Sequence, residues 1–227
     1  MRAEERALAA VPRWLWTVLA IATAVQIAWQ SARPGVAPPA GELPPQPRPA
    51  ALRLAAFGEP QALARIAMLY VQAFQSADTM RVIGWLNAII ELDPRSQYPL
   101  FAAARIYAET ADPARARAIL EFVYREFVRD PNRRWPWLAH AALLAKHRLG
   151  DLALARRYAA AIDRLTTAPD VPLWAKQMEI FILEDMNELE AARIMVGGLL
   201  ASGAIRDPAE LRFLKERLEA LEARSAK

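Results

Sequence analysis

Apolar residues recur at the three- and four-residue spacing of an amphipathic helix from about residue 51 to the end of the chain. Short turns that join a small or apolar residue to Asp or Asn interrupt this pattern at Ala77-Asp78, Ala111-Asp112, Gly150-Asp151 and Met186-Asn187. These turns are 34, 39 and 36 residues apart. Mostly small side chains, which let two helices approach closely, stand four residues after each Asp or Asn, at Val82, Ala116, Ala155 and Ala191. The pattern predicts serial helical hairpins over residues 51–206.

Proline pairs separate the hairpins. Two copies of the same pattern stand 37 residues apart, namely Asp93-Pro94 with Tyr98-Pro99 and Asp130-Pro131 with Trp135-Pro136. A proline does not continue the helix that it follows, so we expect the Asp-Pro pairs to end helices. Pro99 and Pro136 suit the first turn of the next helix, where the missing N–H costs nothing. A fixed period of this length is typical of helical repeat arrays, which bind other molecules.

One hairpin resembles the tetratricopeptide family closely. The large, small and aromatic positions of the family's first helix hold Leu100, Ala104 and Tyr107. The turn falls at Asp112, and the second helix carries Ala116, Leu120 and Val123. The preceding unit fits in its second half, whereas later units depart from the pattern at Lys146 and Ile182, where the family prefers an aromatic residue. The resemblance implies an all-α, right-handed solenoid of about four hairpins over roughly residues 62–200. The whole chain also resembles bacterial membrane-anchored proteins with such repeats, and this likeness implies no activity.

The last helix is expected over residues 207–227 as a cap on the array. Asp207, Pro208 and Glu210 provide a helix start, and a leucine stripe follows at Leu211, Leu214, Leu218 and Leu221. A solenoid end exposes apolar surface, which a helix with a polar back can cover. The alternative is a coiled-coil seam to a second copy of the chain.

Residues 14–32, after a short tail of residues 1–13, are expected to form a transmembrane anchor. From Trp14 to Trp29 the segment carries no charge, and as a helix it spans roughly 24 Å, slightly short of a ~30 Å hydrocarbon layer. More arginines precede the segment than follow it closely, which favours a cytoplasmic amino terminus and a domain across the inner membrane. A cleaved signal peptide with a site at residues 22–24 is the alternative.

Residues 33–50 are expected to form a proline-rich linker. Residues 34–49 contain seven prolines, and such a stretch favours a polyproline-like spacer of roughly 50 Å at full extension. It would hold the repeats away from the bilayer.

Composition excludes several classes of function. The chain has no cysteine, and therefore no disulfide and no thiolate site. Its net charge is +4, but the arginines are interleaved with glutamates and form no dense basic stripe, so we expect no nucleic-acid partner. No phosphate-binding loop or metalloprotease motif occurs, so we expect no cofactor and no bound metal.

Catalytic residues are not expected. His140 and His147 are the only histidines, and seven residues along one helix place them about 10 Å apart, too far to share a metal. Acidic residues that cluster near one turn, where a solvated face is the ordinary explanation, are Glu184, Asp185, Glu188 and Glu190. An envelope hydrolase remains the alternative, and it requires Glu179, Glu184 or His140 in a deep pocket.

Partner-binding residues are expected on the first helix of each hairpin, which lines the groove in tetratricopeptide arrays. The residues selected are Tyr98, Phe101, Arg105, Trp137, His140, His147, Arg148 and Lys176. They mix aromatic rings with cations, which suits a peptide with an acidic side chain or a terminal carboxylate. A docking loop is expected at Arg133, Arg134 and Trp135, with packing under the next helix as the alternative. The sequence thus predicts a non-enzymatic envelope scaffold or adaptor for a protein partner, with self-association as a further alternative.

Overall fold

The computed structural model describes residues 12–32, 42–74, 78–203, 205 and 207–225. All regular secondary structure within these ranges is helical, so the prediction of an all-α chain is confirmed. The helices are α1 (Arg13–Ala32), α2 (Pro49–Ala55), α3 (Pro60–Gln72), α4 (Thr79–Leu92), α5 (Tyr98–Ala102), α6 (Pro113–Arg129), α7 (Pro131–His147), α8 (Leu152–Leu165), α9 (Leu173–Lys176), α10 (Met178–Asp185), α11 (Leu189–Ala201) and α12 (Pro208–Ser225). Most of the predicted tail, the turn residue Ala77 and the first half of the predicted linker lie outside the described residues.

Helices that follow each other along the chain pack against each other in series. The hairpins are α3 with α4, the π-helical continuation of α5 (Ala103–Tyr107) with α6, α7 with α8, and α10 with α11. Contacts between α4 and α6, α6 and α7, and α8 and α10 join one hairpin to the next. The arrangement is therefore solenoid-like, because each unit buries its apolar face on its neighbours.

Aspartates at the turns start the second helices. The side chains of Asp78, Asp112 and Asp151 accept hydrogen bonds from backbone N–H groups of the first turns of α4, α6 and α8. These bonds satisfy donors that the helix itself leaves free.

The fourth hairpin is shifted by one residue from the predicted register. Asn187 has φ +62°, the conformation that Gly150 has before α8, and α11 begins after Glu188. Asn tolerates this left-handed conformation better than most side chains. As a result Ala192, and not the predicted Ala191, is the fully buried small residue of this hairpin.

The prolines behave differently at the two Asp-Pro pairs. Pro99 lies in the first turn of α5, as predicted. Pro131, however, is itself the first residue of α7, and Pro136 lies inside that helix. The prediction for Pro136 is wrong because Pro131 already occupies the position where a missing N–H costs nothing.

Two apolar cores run through the array. The larger core joins the first three hairpins and extends to Ala175 of α9 and to Met178 and Ile182 of α10, and the smaller one joins α10, α11 and α12. Leu214 and Leu221 of the leucine stripe are each only 1% exposed, and Leu211 and Leu218 pack beside them. The stripe is thus buried within the chain, against the last hairpin.

The second half of the proline-rich segment packs on the first hairpin. Leu43 is fully buried, and its carbonyl oxygen accepts a hydrogen bond from Arg81 Nη1 at 2.9 Å. The same guanidinium forms an ion pair with Glu42, also at 2.9 Å. Trp85 Nε1 donates to the carbonyl oxygen of Pro44 at 2.7 Å. Residues 42–48 therefore lie on α4, a contact that the sequence did not predict.

Helix α1 is exposed and apolar. Large side chains along its whole length, including Trp14, Leu19, Ile21 and Trp29, are more than half exposed. Among the described residues, none of the helices combines the length and the hydropathy that a membrane crossing requires.

Candidate functional site

A row of aromatic rings runs across the first helices of adjacent hairpins. Tyr98 and Phe101 of α5 stack with ring centroids 5.7 Å apart, and Phe101 and Trp137 of α7 form a T-shaped pair with ring centroids 5.6 Å apart. We call Tyr98, Phe101 and Trp137 the aromatic row. Its members are only partly covered, and Tyr98 is 46% exposed. The structure thus brings together three of the predicted binding residues from two hairpins.

Two glutamines fix the orientation of the aromatic row. Gln72, the last residue of α3, donates from Nε2 to the Tyr98 hydroxyl at 2.8 Å. Trp137 Nε1 donates to Gln97 Oε1 at 2.7 Å. These bonds tie the first helices of three successive hairpins into one surface. Sequence reasoning missed both glutamines, because an isolated amide side chain carries no spacing signal.

An apolar cavity adjoins the row at Tyr98. Its volume is about 390 Å³, and its mostly apolar lining includes Met68, Leu69, Ile89 and Pro99, together with the charged residues Arg65 and Asp93. Leu69 is 68% exposed, so the cavity opens to solvent beside an apolar side chain. Such a concavity next to aromatic rings can accept an apolar side chain of a ligand.

The helix that carries the row changes its pitch after Ala102. Residues Ala103–Tyr107 form a π-helical turn, in which Ala108 N–H donates to the carbonyl of Ala103 at 2.9 Å. A π-turn adds one residue to the helical circuit and occurs frequently at functional sites. Arg105 lies on this turn and is exposed. It makes no ion pair within the described part of the chain.

His140 follows Trp137 by three residues on α7 and interacts electrostatically with Arg105. Its Nε2 atom is buried without a hydrogen-bond partner among the described residues. Burial lowers the pKa of His140 below its ordinary value, and the Arg105 charge lowers it further, whereas Glu109 acts in the opposite direction. The imidazole is therefore neutral near pH 7. Its Nε2 atom can form a hydrogen bond with a ligand that displaces the protein atoms now covering it.

Arg148 and His147 lie beyond this end of the site. Arg148 Nη2 donates to the backbone carbonyls of Glu109 and Thr110, at 3.0 and 2.9 Å, and so holds the turn after the π-helix. His147 is exposed at the end of α7. Arg148 thus connects two hairpins, in addition to any contact that it makes with a ligand.

Lys176 is separated from the other predicted residues. It lines a different cavity, together with Asp163 of α8 and with Met195 and Leu199 of α11. Burial raises the pKa of the Asp163 carboxyl above its ordinary value, and the positive charge of Lys176 opposes that shift. Lys176 therefore interacts with the second helices of its neighbours, and the aromatic row lies on the first helices.

The predicted docking loop is a helix. Arg133, Arg134 and Trp135 lie in the first two turns of α7, because the helix begins at Pro131. Arg134 is 3% exposed and forms an ion pair with Glu126 at 2.7 Å.

The other two residues of the predicted loop also contact neighbouring hairpins. Arg133 Nη2 donates to the carbonyl of Arg95 at 2.8 Å. Trp135 meets Trp174 edge to face, with ring centroids 5.5 Å apart. The side chains that were predicted to dock a partner thus contact neighbouring hairpins, which agrees with the packing alternative that the sequence left open.

No known protein family, curated protein or solved structure matches the chain at a significant level. The fold defines an all-helical array of serial hairpins with an aromatic row on its first helices. A fold of this kind serves many functions, so the function must be argued from the site.

Proposed function

We propose that this protein is a non-enzymatic, membrane-attached scaffold or adaptor that binds a protein or peptide partner in a bacterial envelope assembly. The observation that carries the proposal is the aromatic row, with an apolar cavity at one end and Arg105 with His140 at the other. In the proposed right-handed, tetratricopeptide-like array this surface lines the groove.

The chemistry of the row favours a peptide with an apolar and an anionic part. Exposed aromatic rings that are held rigidly lose little conformational entropy on binding, and they bury a large apolar area. The Arg105 guanidinium, which makes no ion pair within the described residues, can bind a carboxylate through two parallel hydrogen bonds. An acidic side chain or a free carboxyl terminus of the partner suits that position.

Attachment to the inner membrane through α1 is part of the proposal. Most of its exposed side chains are apolar, with Thr17, Thr23, Gln26 and Ser31 as polar exceptions, as expected for a segment that leaves water. The single-pass form, with the repeats on the periplasmic side, follows from the arginine distribution in the sequence. A cleaved signal peptide remains the alternative for this segment.

The other functions considered have less support. Glu179 and Glu184, which a hydrolase would need free, pair with Arg156 and Arg217 instead. The leucine stripe, which a self-association seam would need on the surface, packs against the last hairpin.

A displayed library of random peptides with free carboxyl termini tests the proposal. Selection on the full chain in detergent should enrich peptides that combine an aromatic or aliphatic residue with a terminal or side-chain carboxylate. Arg105→Glu should lower the affinity for the selected peptides by about tenfold or more, since it replaces a charge-assisted hydrogen bond by charge repulsion. Lys176→Glu is the matched control, with the same charge reversal away from the row, and should leave binding unchanged. An equal loss in both variants, or no enrichment, contradicts the proposal.

A further inference from the structure

The corner between α2 and α3 presents an apolar side chain on a strained backbone. Phe57 is 93% exposed, and its φ of +46° lies in the left-handed region that side chains other than Asn, Asp and Gly rarely adopt. Gly58 follows with φ +88°, so the chain reverses directly after the ring. Strain of this kind persists only where the surrounding structure imposes it, and it occurs preferentially at functional positions.

Helix α2 adds apolar surface and positive charge to this corner. Leu52 and Ala56 face the array and are buried, whereas Leu54 is 79% exposed on the outer side. Arg48 and Arg53 are also exposed, and neither forms an ion pair with a described residue. We call Arg48, Arg53, Leu54 and Phe57 the α2 corner. It combines apolar side chains with arginines, as interfacial membrane segments do.

The contact between residues 42–48 and α4 shortens the connection to α1. If the whole proline-rich segment were free, it would reach roughly 50 Å. Because Leu43 is buried and Trp85 and Arg81 hold the backbone beside it, residues 42–48 do not contribute to that reach, and Glu42 follows Ala32 by ten residues. Ten extended residues reach at most about 35 Å. Helix α2 follows the packed segment directly and lies on the same helix, α4.

We infer that the α2 corner is a second, interfacial membrane contact, which inserts Phe57 and Leu54 among lipid headgroups while Arg48 and Arg53 bind anionic phosphates. The inference rests on the proposed attachment through α1, which brings the corner to the bilayer. Together the two contacts fix the orientation of the array, so that the aromatic row keeps a constant direction relative to the membrane surface.

The absence of cysteine from the chain permits a direct test. Single variants Ile21→Cys, Phe57→Cys and Ile194→Cys are labelled with an environment-sensitive fluorophore on the full chain. The proteins are reconstituted into vesicles of phosphatidylcholine and phosphatidylglycerol, with and without nitroxide-labelled lipid. Position 21 reports α1, position 57 the α2 corner, and position 194 an exposed aliphatic residue of the last hairpin.

The expected result is strong nitroxide quenching at positions 21 and 57 and weak quenching at 194. The further changes Arg48→Glu and Arg53→Glu should reduce quenching at 57 and leave it intact at 21. If position 21 is quenched but position 57 is quenched no more than position 194, the α2-corner contact is overturned. The attachment through α1 is then still supported. An unquenched position 21 contradicts the attachment itself. A blue shift at 57 without lipid indicates a protein contact there and also overturns the inference.

Discussion

Glu126 and Arg134 form a buried ion pair that joins α6 to α7. Arg134 Nη1 lies 2.7 Å from Glu126 Oε2 and also 2.7 Å from the Glu126 backbone oxygen. Arg134 Nη2 donates to the carbonyl of Pro94, in the turn between α4 and α5, at 3.2 Å. One guanidinium of α7 therefore contacts both α6 and the turn between α4 and α5.

Arg134→Ala should lower the free energy of unfolding by about 3 kcal/mol, because it leaves the Glu126 carboxylate buried without its main partner. Arg129, which also pairs with Glu126 at 2.6 Å, limits the loss. Arg133→Ala is the control, since that side chain is exposed and its ion pair is worth less than about 1 kcal/mol. Urea unfolding followed by tryptophan fluorescence measures both variants.

The double change Glu126→Gln with Arg134→Met separates a structural pair from a docking residue. The double variant leaves no buried carboxylate without a partner, so it should be more stable than Arg134→Ala. If Arg134→Ala and Arg133→Ala unfold at the same urea concentration, the buried pair does not contribute as argued.

These contacts show where sequence reasoning succeeds and where it stops. Caps such as Asp112 and small buried residues such as Ala155 are local, and their spacing predicts the hairpins. The burial of Arg134 depends on Pro94, 40 residues earlier, and no local pattern indicates it. A basic-aromatic stretch near prolines therefore indicates a loop on the surface as readily as it indicates a helix start inside the array.

The packed proline-rich segment should contribute to the stability of the first hairpin. Leu43→Ala should lower the free energy of unfolding by about 2–4 kcal/mol, because Leu43 is fully buried. Leu54→Ala, the same change at an exposed position, should alter it by less than about 0.5 kcal/mol. Equal effects in urea unfolding would show that the segment does not pack on α4.

Trp85→Phe should weaken the packing of the same segment by a smaller amount than Leu43→Ala. It removes the hydrogen bond to the Pro44 carbonyl and costs about 1 kcal/mol. Limited proteolysis should then cut within residues 42–48 sooner than in the parent chain, while cleavage elsewhere keeps its rate. Unchanged cleavage of that segment would contradict the assigned role of the indole.

The pKa of His140 should respond in opposite directions to two neighbouring changes. Arg105→Gln should raise it, because the guanidinium charge lowers it in the parent protein, and Glu109→Gln should lower it further. NMR titration of the two histidines measures this, with His147 as the internal reference. A shift of the same sign in both variants would show that the charges do not act on His140 as described.

His140 also makes stability depend on pH. Its folded-state pKa lies below the value of 6.5 expected in the unfolded chain, so the unfolded chain binds more protons between the two values. The free energy of unfolding should therefore fall as the pH drops below about 6.5. His140→Gln should make that slope shallower in urea unfolding at several pH values.

The sequence predicted only part of the site. Helical spacing placed Tyr98, Phe101 and Trp137 on first helices, and the structure brings them into one row. The same spacing selected Lys176, but α9 is a single turn followed by α10, so its register relative to the earlier first helices is lost. The π-turn at Arg105 is equally absent from any pattern of apolar positions.

The division into two cores predicts that the carboxyl-terminal end of the array unfolds separately. Leu214→Ala should destabilise the smaller core by about 2–4 kcal/mol, since Leu214 is 1% exposed, whereas Lys215→Ala on the outer face should have little effect. In hydrogen exchange, amides of α10, α11 and α12 should lose protection in Leu214→Ala while those of α6 and α7 keep theirs, because repeat arrays transmit stability mainly to nearest neighbours. An equal loss of protection in α6 and α7 would show that both cores unfold as one cooperative unit.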